Sequence, residues 1–140
     1  MPVNGIFSST IDLLGKTIDL RARNQNLLAS NIANAETPGY VPKSLSFESE
    51  LQGALHGGSK GASAVTHSRH LPLKGAGTRI NSVNGTVVET PAATPGKDGN
   101  AVELENEMGR MVENQVMFNA SVQILSKKFE GLRSAIREGK

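Results

Sequence analysis

Apolar residues recur at alternating intervals of four and three in two long segments, one near each end of this 140-residue chain. Residues at this spacing lie along one side of an α-helix and pack against a partner helix in a coiled coil. The line across 101–136 is broken only by Gln115 and comprises Leu104, Met108, Met111, Phe118, Val122, Leu125, Phe129, Leu132 and Ile136. It predicts a long C-terminal helix.

The first segment, from about residue 6 to residue 34, carries the same spacing and a second apolar line. Arg21 and Gln25 are polar interruptions in its first line, whose apolar members are Phe7, Ile11, Leu14, Ile18, Leu28 and Ile32. The second line repeats at intervals of seven, at Ile6, Leu13, Leu20 and Leu27. A helix that is apolar on two sides has to be buried on two sides. We therefore predict a long N-terminal helix with contacts beyond its own chain.

The middle of the chain differs in composition from both ends. Residues 41–100 hold nine of the fifteen glycines and four of the six prolines, and they offer little apolar material for a core. A short helix is predicted over 46–56, and Asn84-Gly85 predicts a β-hairpin near 80–88. The predicted divisions are an N-terminal helix with its closing motif (1–40), a Gly- and Pro-rich middle (41–100) and a C-terminal helix (101–140).

The predicted fold is mainly α, with long N- and C-terminal helices pairing as an antiparallel coiled coil and a loop-rich middle of small β content. The spacing fits a two-helix hairpin within one chain and a coiled coil between chains equally well. Aromatic residues, the densest source of buried area, make up only 4% of the chain. We therefore expect other chains to cover much of its apolar surface.

Composition removes several classes of function. The chain has no Cys, so it offers neither disulfides nor thiol chemistry. Its net charge of +2 forms no basic patch, which argues against binding to nucleic acid. No apolar run approaches the length of a membrane span, and no cleaved secretory signal is visible. His67 and His70 are too few for a metal site, and we predict no catalytic, cofactor-binding or metal site.

A distinctive stretch, 31–40, closes the first segment. Two asparagines three positions apart lie on one side of the last helical turns, and the following Pro-Gly pair suits a type II turn. The pattern resembles the motif shared by the flagellar axial family, the rod and hook proteins of the bacterial flagellum. Its residues here are Asn31, Ala33, Asn34, Thr37, Pro38, Gly39 and Tyr40. Further stretches resemble the proximal rod members of that family, at 20–25, 46–51, 67–72, 98–105, 119–121 and 125–127.

The resemblance implies a structural subunit, not an enzyme, that polymerises into the hollow helical drive shaft of the flagellar basal body. The implied partners are other copies of the chain, adjacent proximal rod proteins, a FliE-type adaptor and the MS ring with its export gate. Neither nucleic acid nor membrane insertion is implied. The implied location is the periplasmic rod, reached by flagellar type III export without a cleaved signal.

The resemblance also gives the two apolar lines separate roles. Neighbouring subunits would pack on the second line, Ile6, Leu13, Leu20 and Leu27, so Leu20→Glu would permit export but block assembly. The two helices of one subunit would meet along a seam of Ile11, Leu14, Ile18, Leu28, Met111, Phe118, Val122, Leu125 and Phe129. The alternative function is a stand-alone coiled-coil adaptor or chaperone-like binding module, which would use the same lines.

Overall fold

The computed structural model describes residues 6–56 and 80–138, with the side chains of 10–55 and 80–137. Its elements in chain order are α1 (Ile6–Ala33), β1 (Lys43–Ser46), α2 (Glu48–His56), β2 (Thr86–Glu89) and α3 (Leu104–Glu138). The long helices α1 and α3 contain 28 and 35 residues and pack against each other within the chain. The predicted class, mainly α with paired terminal helices and a small β content in the middle, is confirmed.

The two long helices run antiparallel, with the end of α1 beside the start of α3. Asn100 ties these two ends together: its Nδ2 donates to the Ala35 carbonyl at 2.5 Å and its Oδ1 accepts from the Val102 N–H at 2.8 Å. The carbonyls at a helix end have no partner within the helix. Asn100 therefore binds the chain just beyond α1 while it orders the approach to α3.

The motif turns the chain from α1 toward β1. The Asn34 N–H donates to the carbonyls of Ser30 and Asn31, each at 3.1 Å, in the closing turn of the helix. Pro38 has no N–H with which to continue a helix, and Gly39 adopts φ +72°, in the left-handed region that favours glycine. The chain then enters β1 three residues after Tyr40.

The sheet consists of two antiparallel strands, with Lys43 of β1 opposite Glu89 of β2 and Ser46 opposite Thr86. The predicted hairpin near 80–88 is therefore wrong, because β2 pairs with a strand that precedes α2. Residues 80–83 form a helical turn, in which the Val83 N–H donates to the Ile80 carbonyl at 3.2 Å. Residues three apart share one side of such a turn but lie on opposite faces of a strand. The turn buries both Ile80 and Val83.

The main apolar core lies between α1 and the middle of the chain. Its buried members are Leu20, Leu45, Phe47, Leu51, Ile80 and Val83, and at its margin pack Leu13, Leu27 and Ala54. The Arg21 guanidinium carbon lies 5.4 Å from the centroid of the Phe47 ring, which adds a cation–π contact. Among the described residues, α3 contributes nothing to this cluster. The expectation that the middle offers little for a core is wrong for the residues that flank the sheet.

Gly85 is required where the chain passes from the helical turn into β2. Its φ is +67°, in the left-handed region. A Cβ added there would lie 3.0 Å from the Leu45 Cγ and 3.1 Å from the Phe47 Cβ. The Asn84-Gly85 signal thus marks a place that needs glycine, although the strand expected before it is absent.

Candidate functional site

The side of α3 that faces α1 buries polar residues at intervals of seven. Glu107, Asn114 and Ser121 are 2%, 4% and 9% exposed. The half-buried Met111, Phe118 and Leu125 lie between or just beyond them along the same side of the helix. A polar group is tolerated inside a protein when its hydrogen bonds are satisfied. Among the described residues, every buried side-chain nitrogen and oxygen has a partner.

Asn114 joins α3 to neighbouring turns of α1. Its Nδ2 donates to the Arg21 carbonyl at 2.9 Å and to the Gln25 Oε1 at 2.7 Å. Its Oδ1 accepts longer bonds from the Asn24 Nδ2 at 3.4 Å and the Arg21 Nη1 at 3.5 Å. Arg21 and Gln25 are the two polar interruptions in the first apolar line of α1. The interruptions therefore mark the place where the helices are hydrogen-bonded.

Asn31 makes the second polar contact between the helices and is fully buried. Its Nδ2 donates to the Glu107 carboxylate at 2.6 Å and to the Lys43 carbonyl at 2.7 Å. Its Oδ1 accepts from the Lys43 N–H at 3.0 Å and from the Tyr40 hydroxyl at 3.2 Å. An amide side chain can make four such bonds. Asn31 makes all four, and they connect α1 with α3, the motif turn and β1.

The second oxygen of the Glu107 carboxylate also accepts a hydrogen bond. Its Oε1 accepts from the Arg110 Nη1 at 3.0 Å, so a buried acid is held by one amide and one guanidinium. A buried carboxylate is stable when it is both paired and hydrogen-bonded. Glu105 and Glu107 are the acids of the first turn of α3, where the helix dipole alone favours negative charge, so nothing in the sequence around Glu107 indicates its contact with Asn31.

Two asparagines of α1 also cover one edge of β1. The Leu45 N–H donates to the Asn24 Oδ1 at 2.9 Å, and both backbone groups of Lys43 are bonded to Asn31. Alternate residues of a strand direct their backbone groups to the same edge. The edge of β1 that faces away from β2 is therefore closed by side chains of α1.

The remaining motif residues act within the turn. The Asn34 Nδ2 donates to the Ser30 carbonyl at 2.8 Å, and the Thr37 hydroxyl donates to the Asn34 Oδ1 at 3.1 Å. Ala33 and Pro38 are exposed. The structure thus brings Asn31 and Tyr40 together as a linking pair, whereas Asn34 and Thr37 stabilise the local backbone.

The residues predicted for the seam lie in three environments. Val122 and Phe129 are 40% and 52% exposed, and Ser121 takes the buried position beside Val122. Leu28 is buried, and the half-buried residues are Ile11, Leu14, Ile18, Met111, Phe118 and Leu125. The prediction is wrong for Val122 and Phe129. One position before Val122, Ser121 is buried and its hydroxyl donates to the Met117 carbonyl at 2.9 Å.

The second apolar line of α1 faces the chain's own core. Leu20 is 0% exposed and belongs to the core cluster, while Leu13 and Leu27 pack at its margin. The predicted contact with neighbouring subunits is therefore wrong for Leu20, because no part of its surface is left for a second chain. The side chain of Ile6 lies outside the described residues.

Large apolar side chains are exposed along α3. They are between 40% and 74% exposed and comprise Leu104, Met108, Val112, Val116, Met117, Val122, Ile124, Phe129 and Ile136. Isolated exposed apolar residues are ordinary on a protein surface, but extensive exposed apolar surface marks an interaction site, and α3 exposes nine large apolar side chains over its length. The candidate site is therefore α3 itself, held on α1 by its polar side.

The described parts of the chain contain no group of three or more His, Cys, Asp and Glu residues that could hold a metal ion. His67 and His70 lie outside these parts. Within 6–56 and 80–138, neither long helix has the length and apolar character needed to cross a membrane.

Comparison with known proteins gives consistent matches. A family model described as "Flagella basal body rod protein" matches residues 17–40, which include the motif. The flagellar basal body rod protein FlgB of Cereibacter sphaeroides is 32% identical over 131 residues, covering 94% of this chain and 96% of the relative. The Escherichia coli FlgB is 29% identical, covering 89% and 90%. The Proteus mirabilis FlgB is 28% identical, covering 94% and 96%.

Proposed function

The chain belongs to the FlgB family of flagellar basal body rod proteins, and on this premise we propose that it polymerises into the hollow helical shaft of the proximal rod. It is a structural subunit of the basal body rod and not an enzyme. The resemblance of its motif to the flagellar axial family is thereby confirmed. These relatives do not favour the alternative of a stand-alone coiled-coil adaptor.

The observation that carries the proposal of polymerisation is the exposed apolar surface of α3. A helix of 35 residues is roughly 50 Å long at 1.5 Å per residue, and apolar residues are exposed from Leu104 at its start to Ile136 near its end. Burial of such surface is the main favourable term in protein association. Regular contact between copies along the whole helix would remove it from water.

The polar contacts of the seam support a regular polymer in a second way. Hydrogen bonds from Asn31 to Glu107 and from Asn114 to Arg21 and Gln25 fix the position of α3 along α1. A buried polar residue can specify the register of paired helices. Every copy would therefore present the exposed side of α3 in the same orientation, which repeated contacts between identical copies require.

The partners and the route to the rod are proposed from the family. We expect other copies of the chain, adjacent proximal rod proteins, a FliE-type adaptor and the MS ring with its export gate as neighbours. Export would use the flagellar type III system without a cleaved signal, and the subunit would occupy the periplasmic part of the basal body.

Deletion of the gene in the source bacterium tests the function. Electron microscopy of isolated basal bodies should show particles without a complete rod, and expression of the chain should restore it. A chain in which Ser49, exposed on α2, is replaced by Ala serves as the control. It should restore the rod as well as the unaltered chain does. Normal rods in the deletion strain would refute the proposal.

A further inference from the structure

Two apolar surfaces of different shape lie on α3 outside the seam. The first, the ridge, consists of Leu104, Met108, Val112 and Val116, whose side chains are between 45% and 64% exposed. The second, the hollow, has a volume of about 430 Å³ and is lined by Ile124, Lys127, Lys128, Gly131, Leu132 and Ala135. Open space lies beside Gly131, since a Cβ added there would meet nothing within 4 Å.

The ridge and the hollow occupy different sides and different halves of the helix. At 3.6 residues per turn, their centres are separated by roughly 150° around α3. Along the axis they are roughly 30 Å apart at 1.5 Å per residue. The seam with α1 lies between them on the remaining side. A neighbour can therefore reach each surface while α3 stays paired with α1.

The two surfaces also carry opposite charge. The exposed acids Glu105 and Glu113 lie beside the ridge. Arg110, the one base of that stretch, is paired with Glu107. Lys127 and Lys128 line the hollow, and among the described residues neither is in an ion pair within the chain. Complementary charge on two surfaces favours their association and fixes which surface meets which.

We propose that the ridge of one copy docks into the hollow of a second copy, with the two α3 helices parallel and offset by roughly 30 Å along their axes. This inference rests on the proposed function and adds the surfaces that meet. Contact between two different surfaces is heterologous, so it continues from copy to copy instead of closing as a symmetric dimer. Glu105 and Glu113 would lie near Lys127 and Lys128 of the next copy.

Engineered cysteines test this pairing, because the chain has no Cys of its own. Leu104→Cys places a thiol on the ridge and Ile124→Cys places one in the hollow, and their separation along one helix matches the proposed offset of roughly 30 Å. In isolated basal bodies under mild oxidation, the double variant should shift from monomer to a ladder of disulfide-linked copies. Each single variant should stay monomeric, since ridge does not meet ridge and hollow does not meet hollow. Ser49→Cys, exposed on α2, is the matched control and should not cross-link.

The outcomes separate this inference from the proposed function. Dimers from either single variant would overturn the inference, because they require the same surface on both copies. Linkage of the double variant only to a different rod protein would also overturn it, as would incorporation without any linkage. Each of those results leaves the rod function intact, whereas absence of the wild-type chain from basal bodies contradicts the function itself.

Discussion

The Asn31 side-chain amide donates to the Glu107 carboxylate across 2.6 Å and joins the last turn of α1 to the first turns of α3. Both residues are almost completely buried. The same amide bonds the backbone of β1, so one side chain sets both the pairing of the helices and the position of the sheet. Hydrogen bonds, rather than apolar packing alone, hold the architecture at this point.

Replacing Asn31 by Leu keeps a side chain of similar size but removes all four bonds. The Glu107 Oε2 and both backbone groups of Lys43 lose their partner, and the Tyr40 hydroxyl keeps only its 3.4 Å contact with the Ser30 hydroxyl. Each stranded buried polar group costs about 1–3 kcal/mol, so the free energy of unfolding in urea should fall by at least about 3 kcal/mol. Asn26→Leu on the exposed side of α1 should change it by less than about 0.5 kcal/mol. Equal losses in the two variants would contradict the role of Asn31.

Asn114 and Gln115 distinguish the observed seam from the one that the apolar spacing predicts. Asn114→Ala removes two short bonds to α1 and should lower the free energy of unfolding by about 2 kcal/mol. Gln115→Ala loses only an exposed bond to Asn119 at 3.2 Å and should cost less than about 0.5 kcal/mol. Chemical denaturation of both variants measures the difference. A larger loss of unfolding free energy in Gln115→Ala than in Asn114→Ala would show that α3 faces α1 with Gln115 and not with Asn114.

Leu20 is expected to act through folding and not through assembly. Leu20→Ala opens a cavity in the core cluster and should lower the free energy of unfolding by about 2–5 kcal/mol. Leu20→Glu should leave the chain unfolded before it reaches an assembly step. Circular dichroism during thermal unfolding measures both variants, and Leu55→Ala, 46% exposed on α2, is the control. A stable, helical Leu20→Glu chain that fails only in assembly would restore the intersubunit role.

Two glycines should respond to alanine in opposite directions. Gly85→Ala forces a side chain into positive φ and against the Leu45 Cγ at 3.0 Å, so we expect a loss of more than about 1 kcal/mol. Gly53→Ala lies in α2, where an added Cβ meets nothing within 4 Å, and should gain about 0.5–1 kcal/mol. Urea midpoints of the two variants give the comparison. Stabilisation by Gly85→Ala would contradict the described turn.

The long helices could be predicted because their apolar periodicity is a local property of the sequence. The pairing of β2 with β1 could not be predicted, because β1 lies before α2 in the chain. Nothing in the sequence near Asn84-Gly85 indicates this partner. The core was missed for the same reason. Leu45, Phe47, Ile80 and Val83 are sparse in sequence, and only the fold brings them together against Leu20.

The seam shows what apolar spacing leaves out. Counting apolar residues selects Met108 and Val122, but burial also depends on whether a polar side chain finds partners. Asn114 finds them at Arg21 and Gln25, and Ser121 bonds the Met117 carbonyl at 2.9 Å. Arg21 and Gln25 are visible in the sequence as polar interruptions of the first apolar line of α1. Their partner Asn114 is not an interruption of the α3 line, and only the antiparallel alignment of the helices brings it to them.

Asn24 and Asn31 have a consequence for chains that are present at high concentration. They occupy the backbone groups of Lys43 and Leu45 that an incoming strand would need. Exposed strand edges are the places at which separate chains pair and aggregate. The small sheet can therefore accept a foreign strand only beside β2, and substitution of both asparagines would give it a second place for such growth.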